Sequence, residues 1–247
     1  MGSDDIKKRK ITKNREVRKT RKLSRKTEDR TLIPKMLILT EGLSEKIYFK
    51  SLKIILKLAS LNVEKSSFTD SISIINQAME IGAKSIQDRN EYNYIFCIFD
   101  LDTVKNKEFL LKINDYNSRF KDDNSSIYPI FSFPCIELWF ILHYHCHNAP
   151  FTRTQTNSIG DNVKLEFKNY RTDYSESNEK CISEISLQYK RAIYNSETLT
   201  TRQKEYNSIN PITNIHQLVI LLQSINERTQ LYTYKPETDK FILGKIN

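Results

Sequence analysis

The sequence predicts an α/β protein with an open, mainly parallel sheet flanked by helices, a C-terminal helical extension and a disordered basic N-terminal tail. Three observations carry this expectation. Short, unbroken apolar runs such as "MLILT" (36–40) and "YIFCIF" (94–99) read as strands buried on both faces. Longer segments of helical periodicity separate them, and strands alternating with helices argue for a parallel sheet covered on both sides. The charge, finally, is confined to one end. Residues 1–30 hold 13 Lys or Arg against 5 Asp or Glu, a net +8 of the formal +9, so residues 31–247 carry 26 against 25.

In chain order, residues 1–34 form the tail, whose "KKRKITKNREVRKTRKLSRK" lacks apolar periodicity and repels itself. Its Lys7, Lys8, Arg9, Lys10, Arg18, Lys19, Arg21 and Lys22 suit a phosphate backbone; a solubilising tail or an acidic protein partner is the alternative. A core is expected over 35–150. The strand "MLILT" stops at Glu41-Gly42, where glycine permits a tight turn and close approach to the helix that follows, "LSEKIYFKSLKIILKLA". A second helix is expected over 71–88, then the strand ending in "FDLD", a helix over about 105–118, a strand at "IYPIFSF" and a helix over about 135–144. Residues 151–247 read as a helical lobe packing on the core, polar and turn-like at 152–160, with helices near 181–206 and 213–227.

The chemistry is expected at the carboxyl ends of the strands, where open α/β sheets bind ligands. Asp100 and Asp102, two apart in an extended segment, project from one face, and Glu41 ends another strand. Each acid alone would pass for a solvated strand end or helix cap. Their joint placement points to a shared cation, Mg2+ or Mn2+. Glu137, a charge inside the apolar "FPCIELWF", is either a further ligand or orienting acid, or half of an ion pair with an arginine. His143, His145 and His147 in "HYHCHN" invite a zinc reading, but in a helix His145 would point away from the other two. His216 is catalytic or structural, with nothing in the sequence to decide.

"LILTEGLSEKIYFKSL", "YIFCIFDLD", "FSFPCIELWFILHY" and "NPITNIHQLV" together resemble the RloB-like family, over about residues 34–228. The resemblance implies a Toprim-type fold in which Glu41 serves acid–base chemistry and Asp100 and Asp102 hold Mg2+ during phosphodiester cleavage. Similar nucleases of the overcoming-lysogenization-defect type add an acid four residues after the first glutamate, here Glu45, and use two metals. The family's association with phage defence implies an abortive-infection nuclease effector acting on RNA or DNA beside an ATPase partner, and is compatible with a homo-oligomer. The chain itself has no GxxxxGK[ST] loop.

Two other classes compete. "FDLDTV" also fits the opening motif of haloacid-dehalogenase-like phosphatases, with Asp100 as nucleophile and Asp102 as general acid, but leaves Glu41-Gly42 unexplained. A non-enzymatic nucleic-acid-binding or regulatory subunit would need the tail and not the acids. A membrane protein is excluded by the lack of any apolar run near the ~18–20 residues that span a bilayer, and a cytoplasmic location is expected. Cys97, Cys135, Cys146 and Cys181 form no CxxC pair and are expected as reduced thiols.

Overall fold

A computed structural model of the chain describes residues 33–101, 104, 107–227 and 244. Contacts group Pro34 onward into one unit. Five strands, β1 (Met36–Thr40), β2 (Leu61–Lys65), β3 (Tyr94–Asp100), β4 (Ser126–Phe133) and β5 (Ile212–Thr213), form one sheet in the order β2-β1-β3-β4-β5. All neighbours are parallel except β4 and β5. Eight described helices accompany them: α1 (Leu43–Ile55), α2 (Ser71–Gln87), α3 (Glu108–Arg119), α4 (Glu137–Ile141), α5 (Ile159–Lys168), α6 (Glu179–Ser186), α7 (Tyr189–Glu205) and α8 (Ile215–Glu227). The expected α/β class with an open, mainly parallel sheet is what the chain adopts.

Alternation along the central strands explains their unbroken hydrophobicity. Met36 and Ile38 of β1 and Phe96 and Ile98 of β3 face one core, shared with α1, α4 and α5–α8. Leu37, Leu39, Ile95, Cys97 and Phe99 face the other, beneath α2 and α3. Both faces are therefore dry and both must be apolar. Residues from Met36 to Ile225 contribute to the first core, so α5–α8 share the packing of α1 and α4. Trp139 of α4 is fully buried in it, edge-on to Tyr48 and His143. No described helix is long and apolar enough to cross a membrane.

Several elements differ from the sequence expectation. β2, "LNVEK", is an edge strand whose Leu61 and Val63 are buried while Glu64 and Lys65 are exposed, too short a pattern to stand out. The helix expected over 135–144 is helical only from Glu137 to Ile141. α5 begins where the stretch read as polar and turn-like ends, started by a capping box in which Ser158 Oγ accepts from the Asp161 amide and Asp161 accepts from the Ser158 amide. β5 has only two residues, and the Asn214 side chain prolongs its pairing. Asn214 Oδ1 accepts from the Phe131 amide at 2.7 Å and its Nδ2 donates to the Pro129 carbonyl at 3.2 Å. Pro129 thus lies where β4 has no strand on its outer side.

Candidate active site

β1 and β3 are adjacent, yet β1 leads through α1 to β2 on one side while β3 leads through α3 to β4 on the other. The crevice between their carboxyl ends is a topological switch point, where such sheets place their ligands. Glu41 stands there and joins the two strand ends. Its amide donates to the Ile98 carbonyl at 3.0 Å, and its Oε2 accepts from the Asp100 amide at 3.2 Å. One residue past β1 therefore continues the ladder with its backbone and clamps the end of β3 with its side chain. Asp100 is in register with Ser132 of β4, whose hydroxyl pairs with Thr213 Oγ1 at 2.9 Å.

Two further acids close on this crevice from the helix side. Glu45, in the first turn of α1, is only 3 % exposed and accepts from Ser44 Oγ at 2.9 Å. Burial lifts its carboxyl from 4.5 to about 7; the Glu137 and Glu41 charges add to the lift, against hydrogen bonds from Ser44 and its own amide. Gly42 accommodates this side chain. Its backbone is extended (φ −107°, ψ 176°), a conformation open to any residue, but a Cβ there would collide with Glu45 Oε2. Glycine at 42 leaves room for the Glu45 carboxyl where it lies, and does not serve a left-handed turn.

Glu137 opens α4 and is buried. Its Oε1 accepts from Tyr174 Oη at 2.7 Å, whereas its Oε2 is buried without a hydrogen-bond partner. The Cys135 thiol is pushed well up by burial and then by the Glu137 and Asp100 charges, which places all three groups in one electrostatic neighbourhood. Burial disfavours the Lys164 ammonium, but its 2.6 Å contact with Glu176 and the Glu137 charge outweigh that and raise its pKa. Lys164 also lines, with Leu43, Lys168, Tyr174, Ser175, Glu176 and Ser177, a cavity of about 430 Å³. Tyr174 and Lys164 lie outside the four sequence segments that carry the family resemblance, and only the fold brings them to Glu137.

The structure thus gathers Glu41, Glu45, Asp100 and Glu137. Asp102 lies outside the described residues, as do Lys7, Lys8, Arg9, Lys10, Arg18, Lys19, Arg21 and Lys22. Among the described residues, no three of these acids bring ligand oxygens within 4.8 Å of one another, so they do not form a closed metal cage. Mg2+ does not require such a cage. The ion keeps several waters and is held by one or two carboxylates, and a buried carboxylate oxygen without a partner, Glu137 Oε2, is a group a cation would satisfy. The arginine pairing considered for Glu137 is replaced by the Tyr174 hydroxyl.

The histidines part company. His143 is buried in the core, its Nδ1 donating to the Trp139 carbonyl at 2.9 Å and its Nε2 accepting from Tyr48 Oη at 3.1 Å, and burial lowers its pKa to about 4. His216, also buried and lowered to about 4, hydrogen-bonds Ser196 across α7 and α8 at 2.8 Å. Both rings are held within the core. His145 and His147 lie in a segment that is not helical, and their rings sit 5.6 Å apart.

No curated protein and no solved structure gives a significant match to the chain. The family model described as "RloB-like protein" matches residues 36–222, which hold all five strands and every described site acid. The chain belongs to the RloB-like protein family.

Proposed function

We propose that the chain is a Mg2+-dependent nuclease of the Toprim type that cleaves phosphodiester bonds of RNA or DNA, the effector of an anti-phage system controlled by an ATPase partner. The observation that carries this reading is the clamp of Glu41 across the ends of β1 and β3, at the switch point, with Glu45 and Glu137 buried beside it. Bound Mg2+ would activate water and neutralise the leaving oxygen. One or two carboxylates from Glu41, Asp100, Asp102 and Glu137 would hold it directly and the others through its waters, with Glu45 available once its proton is lost. Glu41 is held in orientation by the Asp100 amide, as a carboxylate that takes a proton from the attacking water must be. Lys168 adds positive charge at the adjoining cavity, where Lys164 is paired with Glu176, and a phosphate-bearing strand would lie there.

Glu41→Gln keeps the size of the side chain and the acceptor for the Asp100 amide but removes the base. It should lower Mg2+- or Mn2+-dependent scission by about 10²–10⁴-fold. Gel assays of RNA and DNA, with metal and with chelator and with p-nitrophenyl phosphate alongside, check this. Undiminished scission in Glu41→Gln overturns the role of Glu41. Turnover of the small ester without scission in the wild type favours the phosphatase. Nucleic-acid binding without either reaction, with the ATPase partner present, favours a binding subunit.

A further inference from the structure

A second cluster lies apart from the acids. One nitrogen each from His145 and His147 and one carboxylate oxygen of Glu166 lie within 4.8 Å of one another, the only such trio of His, Cys, Asp or Glu among the described residues. We propose that these three side chains bind a zinc-class transition-metal ion that ties the 145–147 segment to α5.

Four features support a built site. His145 Nδ1 is buried and has no hydrogen-bond partner. His147 Nε2 must donate to the Ala149 carbonyl, at 3.0 Å, since a carbonyl only accepts; its Nδ1 therefore carries the lone pair a metal needs. The His147 ring is stacked on Phe151 at 4.4 Å and 15°, and Asn210 holds both backbone groups of Phe151, at 3.0 and 2.8 Å. Glu166 is steadied by Asn169 Nδ2 at 3.2 Å and Tyr170 Oη at 3.4 Å, one contact to each oxygen. Each ligand thus has its own supporting contact or a vacant lone pair.

Chemistry selects the ion. Two imidazoles and a carboxylate suit zinc and its neighbours in the first transition row, whereas Mg2+ prefers an all-oxygen shell. Ligand atoms around a tetrahedral zinc with bonds of ~2.0–2.1 Å stand roughly 3.3 Å apart, so the three side chains close inward on binding, and water fills the fourth position. All three residues are half-buried, which leaves room for that movement. Cys146, between the two histidines, contributes no ligand atom to the trio.

The test is a Zn2+ titration of the untagged full chain, stripped with chelator and then supplied with millimolar Mg2+ to occupy the carboxylates at the switch point. The expected result is one equivalent of Zn2+ bound with micromolar or better affinity, weakened at least about tenfold in His147→Ala and in Glu166→Gln and unchanged in Cys146→Ser. Circular dichroism checks that the variants fold. Glu166→Gln, which retains an acceptor for Asn169, serves if His147→Ala does not fold. Substituted Co2+ should show ligand-field absorption that disappears in the same two variants. No zinc binding in the presence of Mg2+, or binding equal in wild type, His147→Ala and Glu166→Gln, overturns the site. Because the readout is metal binding, its failure leaves the nuclease reading untouched, and failure of that reading leaves this one standing.

Discussion

At the residue scale, Glu45 is a carboxyl buried beside other acids. The unfolded chain gives up this proton near pH 4.5, while the folded chain keeps it to about 7. Stability is therefore complete below pH 4.5 with respect to this group and is lost as pH rises to about 7, by of order 1–3 kcal/mol. Glu45→Gln should remove that loss. In urea unfolding with chelator, the advantage of the variant should grow from pH 4.5 to 7.5 and then level off; an advantage independent of pH would contradict the burial of an ionising group there. Glu137 was legible as an acid among apolar neighbours, and Glu45 only through the family resemblance. Their partners Ser44 and Tyr174 were not, because a hydroxyl carries no pattern that says which distant carboxylate it will meet.

At the scale of elements, the sequence read well wherever burial was two-sided or helical. β1 and β3 are unbroken apolar runs because both faces are covered, and α2 and α8 show their stripes over three or more turns. The edges read poorly. β2 needs only two buried side chains, and β5 is held less by its own two residues than by the side chain after them. Asn214 replaces a strand's hydrogen bonds with one amide, donating to Pro129 and accepting from Phe131 in a fully buried setting. Asn214→Ala should leave those backbone groups unpaired and cost about 1–3 kcal/mol for each group left unsatisfied. Equilibrium denaturation measures it, and a loss below about 0.5 kcal/mol would mean that water reaches the outer side of β4.

At the scale of the whole molecule, positive charge and acid chemistry occupy different parts of the chain. Residues 1–30 carry a net +8, and the remainder, which holds the carboxylates, is nearly neutral. Deleting residues 2–30 should weaken binding to RNA or DNA and flatten its salt dependence, by about 0.7–0.9 in the slope of log K against log salt for each phosphate that the tail neutralises. Fluorescence anisotropy across a salt series decides; an unchanged slope leaves the tail as a solubilising segment or one that meets a protein partner. Metal binding at the strand ends should be the same in both forms.

Trp139 is the only tryptophan in the chain, fully buried two residues beyond Glu137 and packed edge-on against Tyr48 and His143. The protein therefore carries its own spectroscopic label at the helix that presents one of the candidate ligands. Its emission comes from a single address, blue-shifted while the core is dry, with no average over several fluorophores to unravel. A cation or a nucleotide that draws on Glu137, or an unfolding event that opens α4, can be followed there without attaching a dye.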